Sequence, residues 1–289
     1  MPQKRFGGKH TEEKLELVEN YLDRYTTALK YQPFRLIYFD AFAGTGDIPQ
    51  LQDAEQSLLP MEDYKPFIIG SARRALGLKH PFDEYVFTDK KKANVDALAG
   101  LREEYPQLQD RVDARHADAN AELQDFCAQT DWRGCRAVVF LDPFGNDVAW
   151  ETLKAIAATK AIDLWYLFPA GLGVHRQIGR DGSVHYTHEA SLDRMLGTPA
   201  WREAFIDTHH VTDLFDVTQK KTSKIADPRS ITEFMIDRMR RIFKGGVLDE
   251  WLPLGSKNVH MYSLIFAWAN PGEKAKLAAK LARAVLKSR

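Results

Sequence analysis

The stretch Leu36-Ile-Tyr-Phe-Asp-Ala-Phe42 constrains this chain most strongly. Its apolar residues fall on both faces of an extended segment, so a strand here must be covered on two sides. A parallel sheet between two layers of helices meets that demand. Other segments repeat the pattern: Glu84 to Asp89, Ala137 to Leu141 and Ile162 to Phe168 read as strands, with Val112 to His116 a weaker one. Helical stretches lie around them. Leu15, Val18, Leu22, Tyr25 and Leu29 follow one helical face before the first strand. Thr11 is the expected N-cap of that helix, with Glu12 and Glu13 favoured by the helix dipole and Pro33 as the stop. Lys91 to Leu101 and Val148 to Thr159 also read as helices, the second capped by Asp147. Strands alternating with helices imply βαβ units.

The pattern changes after Gly171. Residues 171–246 hold two expected helices, Pro199 to His209 and Ser230 to Phe243, among polar loops rich in Gly and His. They read as an insertion or cap rather than a separate domain. The sheet resumes with Val247 to Leu254 and Met261 to Ala269, whose short link around Gly255 demands antiparallel pairing. Glu273 to Lys287 reads as a closing helix. The expected fold is α/β: a Rossmann-like, doubly wound, mostly parallel sheet of seven strands with the last one antiparallel, plus a mainly helical insertion. A single domain is expected over 1–289, with an N-terminal helix over about 11–30 and the insertion over about 171–246.

Composition narrows the function classes. Forty Lys+Arg balance 40 Asp+Glu in 289 residues, so any affinity for phosphate must come from local patches. An aromatic content of 11% excludes a wholly disordered chain. No apolar run is long enough to span a membrane, and no apolar signal core follows the basic Met1 to Arg5. The two cysteines, Cys127 and Cys135, form neither a disulfide framework nor a zinc spacing. A reducing cytoplasm is therefore the expected location, and no metal is expected.

In a doubly wound sheet, ligands bind beyond the carboxyl ends of the strands. Acidic or glycine residues stand at those ends in succession. Asp40 precedes Phe42, Gly44, Thr45 and Gly46, and a carboxylate there suits a cation such as an ammonium or a sulfonium. The glycines permit close backbone approach to a ligand. A nicotinamide fingerprint would need a third glycine where Pro49 stands. Asp89, ending the second strand, suits a pair of ribose hydroxyls, or else caps the Lys91 helix. Asp118, with Ala119 and Asn120, suits an adenine amino group, or else caps the next helix. Asp142 is held extended by Pro143, Phe144 offers an aromatic face to a planar substrate, and Gly145 leaves room for approach.

Asp-x-Phe-x-Gly-x-Gly after strand one, an acid after strand two and Asp-Pro-Phe after strand four resemble class I S-adenosylmethionine-dependent methyltransferases. The arrangement is most similar to amino-methyltransferases acting on adenine, whose catalytic motif is Asp/Asn-Pro-Pro-Tyr/Phe. Within that superfamily the chain resembles the three-Cys-motif partner family, TcmP. The stretches that carry this are Phe6-Gly-Gly8, Tyr38 to Gly46, Phe140 to Gly145, Trp150-Glu-Thr-Leu153, Ile162 to Pro169 and Leu264-Ile-Phe-Ala267, spread over most of the chain. The resemblance implies a methyltransferase-like fold, S-adenosylmethionine as cofactor and a functional link to a three-Cys-motif protein. It implies no particular substrate.

Carried over by position, the resemblance places Asp40, Phe42, Gly44, Thr45 and Gly46 around the methionine part of the cofactor. It places Asp89 on the ribose, and Asp118 and Ala119 near the adenine. Asp142, Pro143 and Phe144 would face the acceptor and the sulfonium. The chain departs from the motif at its third and fourth positions, where Phe144 and Gly145 stand. Carbon-5 pyrimidine transfer would need a Pro-Cys nucleophile, and neither cysteine follows a proline. The expected activity is methyl transfer to a nucleobase or another planar nucleophile, with nucleic acid as a candidate substrate. The alternatives are a cofactor-binding partner subunit without transfer and a dinucleotide oxidoreductase. His175, His185, His188, His209 and His210 match no metal spacing. Arg176, Arg180, Lys220, Lys221, Lys224, Arg238, Arg240, Arg241 and Lys244 form basic runs that are either solvated or aimed at phosphates. His10 and Lys14 are candidates for the cofactor carboxylate.

Overall fold

A computed structural model describes residues 9–44, 65–212, 218–256 and 259–288. Thr45, Gly46 and Phe6-Gly-Gly8 lie outside the described residues, as does Pro49. The strands expected around the two-sided core form as read: β1 (Arg35–Asp40), β2 (Glu84–Asp89), β3 (Val112–His116), β4 (Cys135–Leu141) and β5 (Ile162–Phe168). Every residue of β5 is buried. Helices alternate with them: α1 (Lys9–Leu29), α2 (Lys65–Leu76), α3 (Lys92–Glu104), α4 (Ala119–Gln129) and α5 (Trp150–Ala158).

Beyond β5 the chain makes a π-helical turn, Ala170–Val174, then α6 (Tyr186–Leu196) and α7 (Trp201–Phe205). A ribbon follows, β6 (Ile206–Thr212) with β7 (Thr218–Lys224), and then α8 (Pro228–Ile242). The chain closes with β8 (Gly246–Val247), β9 (Leu252–Ser256), β10 (Val259–Trp268) and α9 (Lys276–Lys287).

The sheet runs β3-β2-β1-β4-β5-β10-β8, with β9 also paired to β10. All pairs from β3 to β5 are parallel, and β10 is antiparallel to β5. This is the expected doubly wound, mostly parallel sheet. Sequence order reverses between β1 and β4, which makes their carboxyl ends the switch point.

Two apolar layers cover the sheet. One face packs Leu17, Tyr21 and Leu22 of α1, Ala72 of α2, Leu98 of α3 and Ala282 of α9. The other packs Leu123 of α4, Leu153 of α5, and Ile231 and Met235 of α8. Each of these leucines, Ile231 and Met235 contributes about 1.5–3 kcal/mol through burial.

Several boundaries differ from the expectation. The helix α1 begins at Lys9, so Thr11 lies inside it and is not its N-cap. Asp147 does not cap α5: Ala149 holds the N-cap position without a side-chain bond, and Asn120 Oδ1 accepts the Ala149 N–H at 2.8 Å instead. The stretch read as a helix to His209 stops at Phe205 and turns into β6. The single strand read over Val247 to Leu254 is two short pieces, β8 and β9. Between them, Glu250 is drawn outward to Arg283 at 2.9 Å, and Asp249 pairs with Arg240.

The region between β5 and β8 is tied to the body by directed polar bonds. Asp227 caps α8 reciprocally with Ser230, with Pro228 in the first turn. Arg238 donates to the Leu196 and Gly197 carbonyls at 3.2 and 2.8 Å, closing the end of α6, and lies over the Trp150 ring. Arg240 pairs with Asp237, and Lys224 donates to the His175 and Ile178 carbonyls. These members of the basic runs are thus committed to structural bonds.

Candidate functional site

The acids expected at the strand ends occupy the carboxyl edge of the sheet. Asp40 ends β1 and is paired in register with Phe87 of β2 and Phe140 of β4. Asp89, the last residue of β2, and Asp142, just past β4, stand two residues beyond those partners. Since side chains alternate along a strand, Asp40 and Asp89 share the face covered by α1 and α2, with Asp40 the deeper, and Asp142, one residue past β4, lies close enough to act on Tyr38 of that face.

Asp40 is 1% exposed. Its Oδ2 accepts the Ser71 hydroxyl of α2 at 2.8 Å, and Oδ1 has no hydrogen-bond partner among the described residues. Burial pushes this carboxyl up to about 7, against the Ser71 hydroxyl and the Phe42 amide, which favour the ionised form; the charge of Asp89 raises it further. Tyr38, two residues earlier, is fully buried, and its hydroxyl has no partner among the described residues. Burial raises its pKa, and the charges of Asp40 and Asp142 add to the rise.

After β1 the chain turns under the neighbouring strands. The Ala41 N–H donates to the Phe140 carbonyl and the Ala43 N–H to the Thr88 carbonyl. Phe42 is buried, and Gly44 has φ +56°. His10 and Lys14 lie on α1.

Asp89 is half-buried and accepts the Lys91 N–H at 2.7 Å through Oδ1, shaping the turn into α3. Asp118 caps α4, accepting the Asn120 and Ala121 N–H groups at 3.0 and 3.2 Å, and pairs with Lys90 at 3.0 Å. Burial opposes its ionisation, but Lys90 and the helix amides hold its carboxyl below the usual range. Both acids therefore serve the caps or turns that the residue pattern also allowed. Ala119 is buried at the first position of α4.

Asp142 is 2% exposed and follows β4 directly. Phe144, by contrast, is 57% exposed. Gly145 has φ +58°, a left-handed conformation that redirects the chain after the aromatic ring. The rest of this loop is clamped. Asn146 is buried and donates through Nδ2 to the Gly173 carbonyl at 3.2 Å and to Gln177 at 2.8 Å. Arg194 of α6 donates to the Asn146 and Asp147 carbonyls at 3.0 and 3.3 Å. Asn120 donates to the Asp147 carbonyl at 2.9 Å.

Sequence reading missed Ser71, Asn146 and Arg194, which no strand-end pattern marks. Asn120 lies two residues after Asp118, and the pattern of acids at strand ends does not mark its amide. Among the described residues, no three His, Cys, Asp or Glu side chains gather as a metal set. No described helix is long and apolar enough to cross a membrane.

No family model matches the chain, and no curated protein does. Solved structures with a similar course include a Legionella pneumophila protein of the DUF519 family, 15% identical, covering 94% of this chain and 90% of that one at a TM-score of 0.49. Another is magnesium protoporphyrin IX methyltransferase from Synechocystis, solved with bound S-adenosylmethionine: 13% identical, covering 78% of this chain and 86% of that one at a TM-score of 0.31. Likenesses this distant assign no chemistry to the chain, so function rests on the groups at the carboxyl edge of its sheet.

Proposed function

We propose that this chain is an S-adenosylmethionine-dependent methyltransferase. The observation that carries the proposal is at the switch point. Two buried carboxyls, Asp40 and Asp142, flank it, and one Asp40 oxygen has no partner among the described residues. A buried acceptor left unsatisfied costs roughly 1–3 kcal/mol, so the site calls for a donor, and the acidic surroundings call for a cationic one.

When bound, S-adenosylmethionine supplies an electrophilic methyl on a sulfonium. Asp40, Phe42 and Gly44 would surround its methionine end, with Thr45 and Gly46 following in sequence. Asp89, whose Oδ1 holds its own turn, would take the ribose hydroxyls. Asp118 and Ala119 would border the adenine from the start of α4. Asp142, held extended by Pro143, would orient an acceptor and stabilise positive charge developing on it. Phe144 would stack on a planar acceptor such as a nucleobase. The clamped loop supplies the positioning that brings acceptor and methyl into line.

A second reading is a cofactor-binding subunit of a three-Cys-motif protein that carries out no transfer. It is favoured by Phe144 and Gly145, which stand where a second proline and an aromatic residue complete the amino-methyltransferase motif. Calorimetry with S-adenosylmethionine, S-adenosylhomocysteine and NAD tests the shared premise. Both sulfur cofactors should bind, NAD should not, and Asp89→Ala should weaken binding about tenfold or more, the equivalent of about 1.4 kcal/mol. Absence of binding by either sulfur cofactor overturns both readings. A labelled-methyl assay on RNA and DNA separates them: transfer that Asp142→Ala abolishes supports the enzyme, and cofactor binding without transfer supports the subunit.

A further inference from the structure

We propose that the cationic methionine end of the cofactor expels a proton from Asp40 as it binds, so that this carboxyl selects the ligand by charge and couples cofactor affinity to pH. The inference rests on the methyltransferase reading above. Its basis is geometric. Asp40 lies deepest of three carboxyls at the carboxyl edge: register pairs it with Phe87 and Phe140, and Asp89 and Asp142 come two residues further along the chain, at the end of β2 and just past β4. Among the described residues, the groups acting on it are Asp89 from β2, the Ser71 hydroxyl from α2 and Tyr38 from β1, and Asp142, just past β4, acts on the same Tyr38. None of these is a cation, and no Lys, Arg or His among the described residues pairs with Asp40. Its neighbours thus bring negative charge and burial, both of which favour the protonated carboxyl.

The partners already in place show what the ionised form lacks. The Ser71 hydroxyl and the Phe42 amide both favour the carboxylate, yet burial outweighs them and holds the group near neutrality, at about 7. Oδ1 has no donor among the described residues. An ammonium or sulfonium arriving at that oxygen supplies the missing charge. The bound state is then carboxylate against cation, and the proton leaves to solvent. S-adenosylmethionine carries both cations, whereas S-adenosylhomocysteine carries only the ammonium. The two ligands therefore distinguish which cation Asp40 meets.

Calorimetric titration in two buffers of different ionisation heat, at pH 6 and pH 7, counts the protons released. For a carboxyl titrating near 7 when free and well below 6 when bound, release is about 0.9 proton at pH 6 and about half at pH 7. The dissociation constant then tightens about fivefold from pH 6 to pH 7. In Asp40→Asn, release disappears and affinity no longer depends on pH over this range. The ligand's own amino group is common to both proteins and cancels in the comparison. Ser71→Ala, which removes a bond to the carboxylate, shifts the release profile to higher pH. Release with both ligands places Asp40 at the ammonium; release with S-adenosylmethionine alone places it at the sulfonium. Either outcome supports the proposal. Binding without proton release in the wild type, or equal release in Asp40→Asn, overturns it. Failure of both ligands to bind at any pH overturns the methyltransferase reading instead.

Discussion

Asn120 joins the loop after β3 to the loop after β4 with its whole amide group. Nδ2 donates to the Asp147 carbonyl, and Oδ1 accepts from the Ala149 N–H and the Thr152 hydroxyl. Removing it leaves the first turn of α5 without its cap. Asn120→Ala should cost about 1–3 kcal/mol, measured by urea unfolding, because it leaves partly buried donors unmatched. An unchanged midpoint would show that water replaces the amide. At this scale the sequence is partly legible. The acids at the strand ends can be read from residue type and position, since a carboxylate after an apolar run has few places to go. What each acid does cannot be read that way. Asp118 takes the amides of α4 and Lys90, a choice set by the helix start and by a lysine from the β2 end. The capping of α5 by a residue 29 positions earlier has no local trace.

Elements built around the two-sided core were the readable ones, because apolar runs such as Ile162 to Phe168 admit few alternatives. The ribbon β6–β7 was not. Asp207, Thr208, His209 and His210 are all exposed, so burial imposes no alternation, and the run Pro199 to His209 reads equally well as a helix. The register that settles it, His209 against Lys221, is set by pairing alone. The junction of α6 and α8 gives a test at the element scale. Gly197 ends α6 with φ +64°, and a Cβ there would sit 2.1 Å from the Trp150 ring, which Arg238 covers from the other helix. Gly197→Ala combines left-handed strain with overpacking and should destabilise by about 2–5 kcal/mol in thermal or urea unfolding. A loss below about 0.5 kcal/mol would mean that the Trp150 ring moves freely, which its stack with Arg238 argues against.

Across the whole molecule, buried acids stand at opposite edges of the sheet. Asp40 is at the carboxyl edge, while Asp163 is the second residue of β5 and accepts the Tyr21 hydroxyl at 3.3 Å. Burial pushes the Asp163 carboxyl up to about 7, against that hydroxyl and Arg136. An ordinary aspartate titrates near 4, so between about pH 4 and 7 the native state holds protons that the unfolded chain has released. The sign follows: this contribution to stability is full below about pH 4 and is lost as pH rises through 7. From pH 5 to 7 the wild type should lose about 2 kcal/mol more than Asp163→Asn, measured by urea unfolding at each pH. Parallel pH profiles for the two proteins would place a compensating charge beside Asp163.

The two margins of the sheet also bear on how the protein behaves when concentrated. An outer strand with open backbone groups is a template for another chain. Here β3 ends the sheet on one side with Asp113, Arg115 and His116, and Arg115 is engaged by Asp113 and Glu122. On the other side the margin is divided between the two residues of β8 and the short β9, where Pro253 supplies no N–H. Charge on one margin, and brevity with a missing donor on the other, leave little backbone for edge-to-edge polymerisation through this sheet.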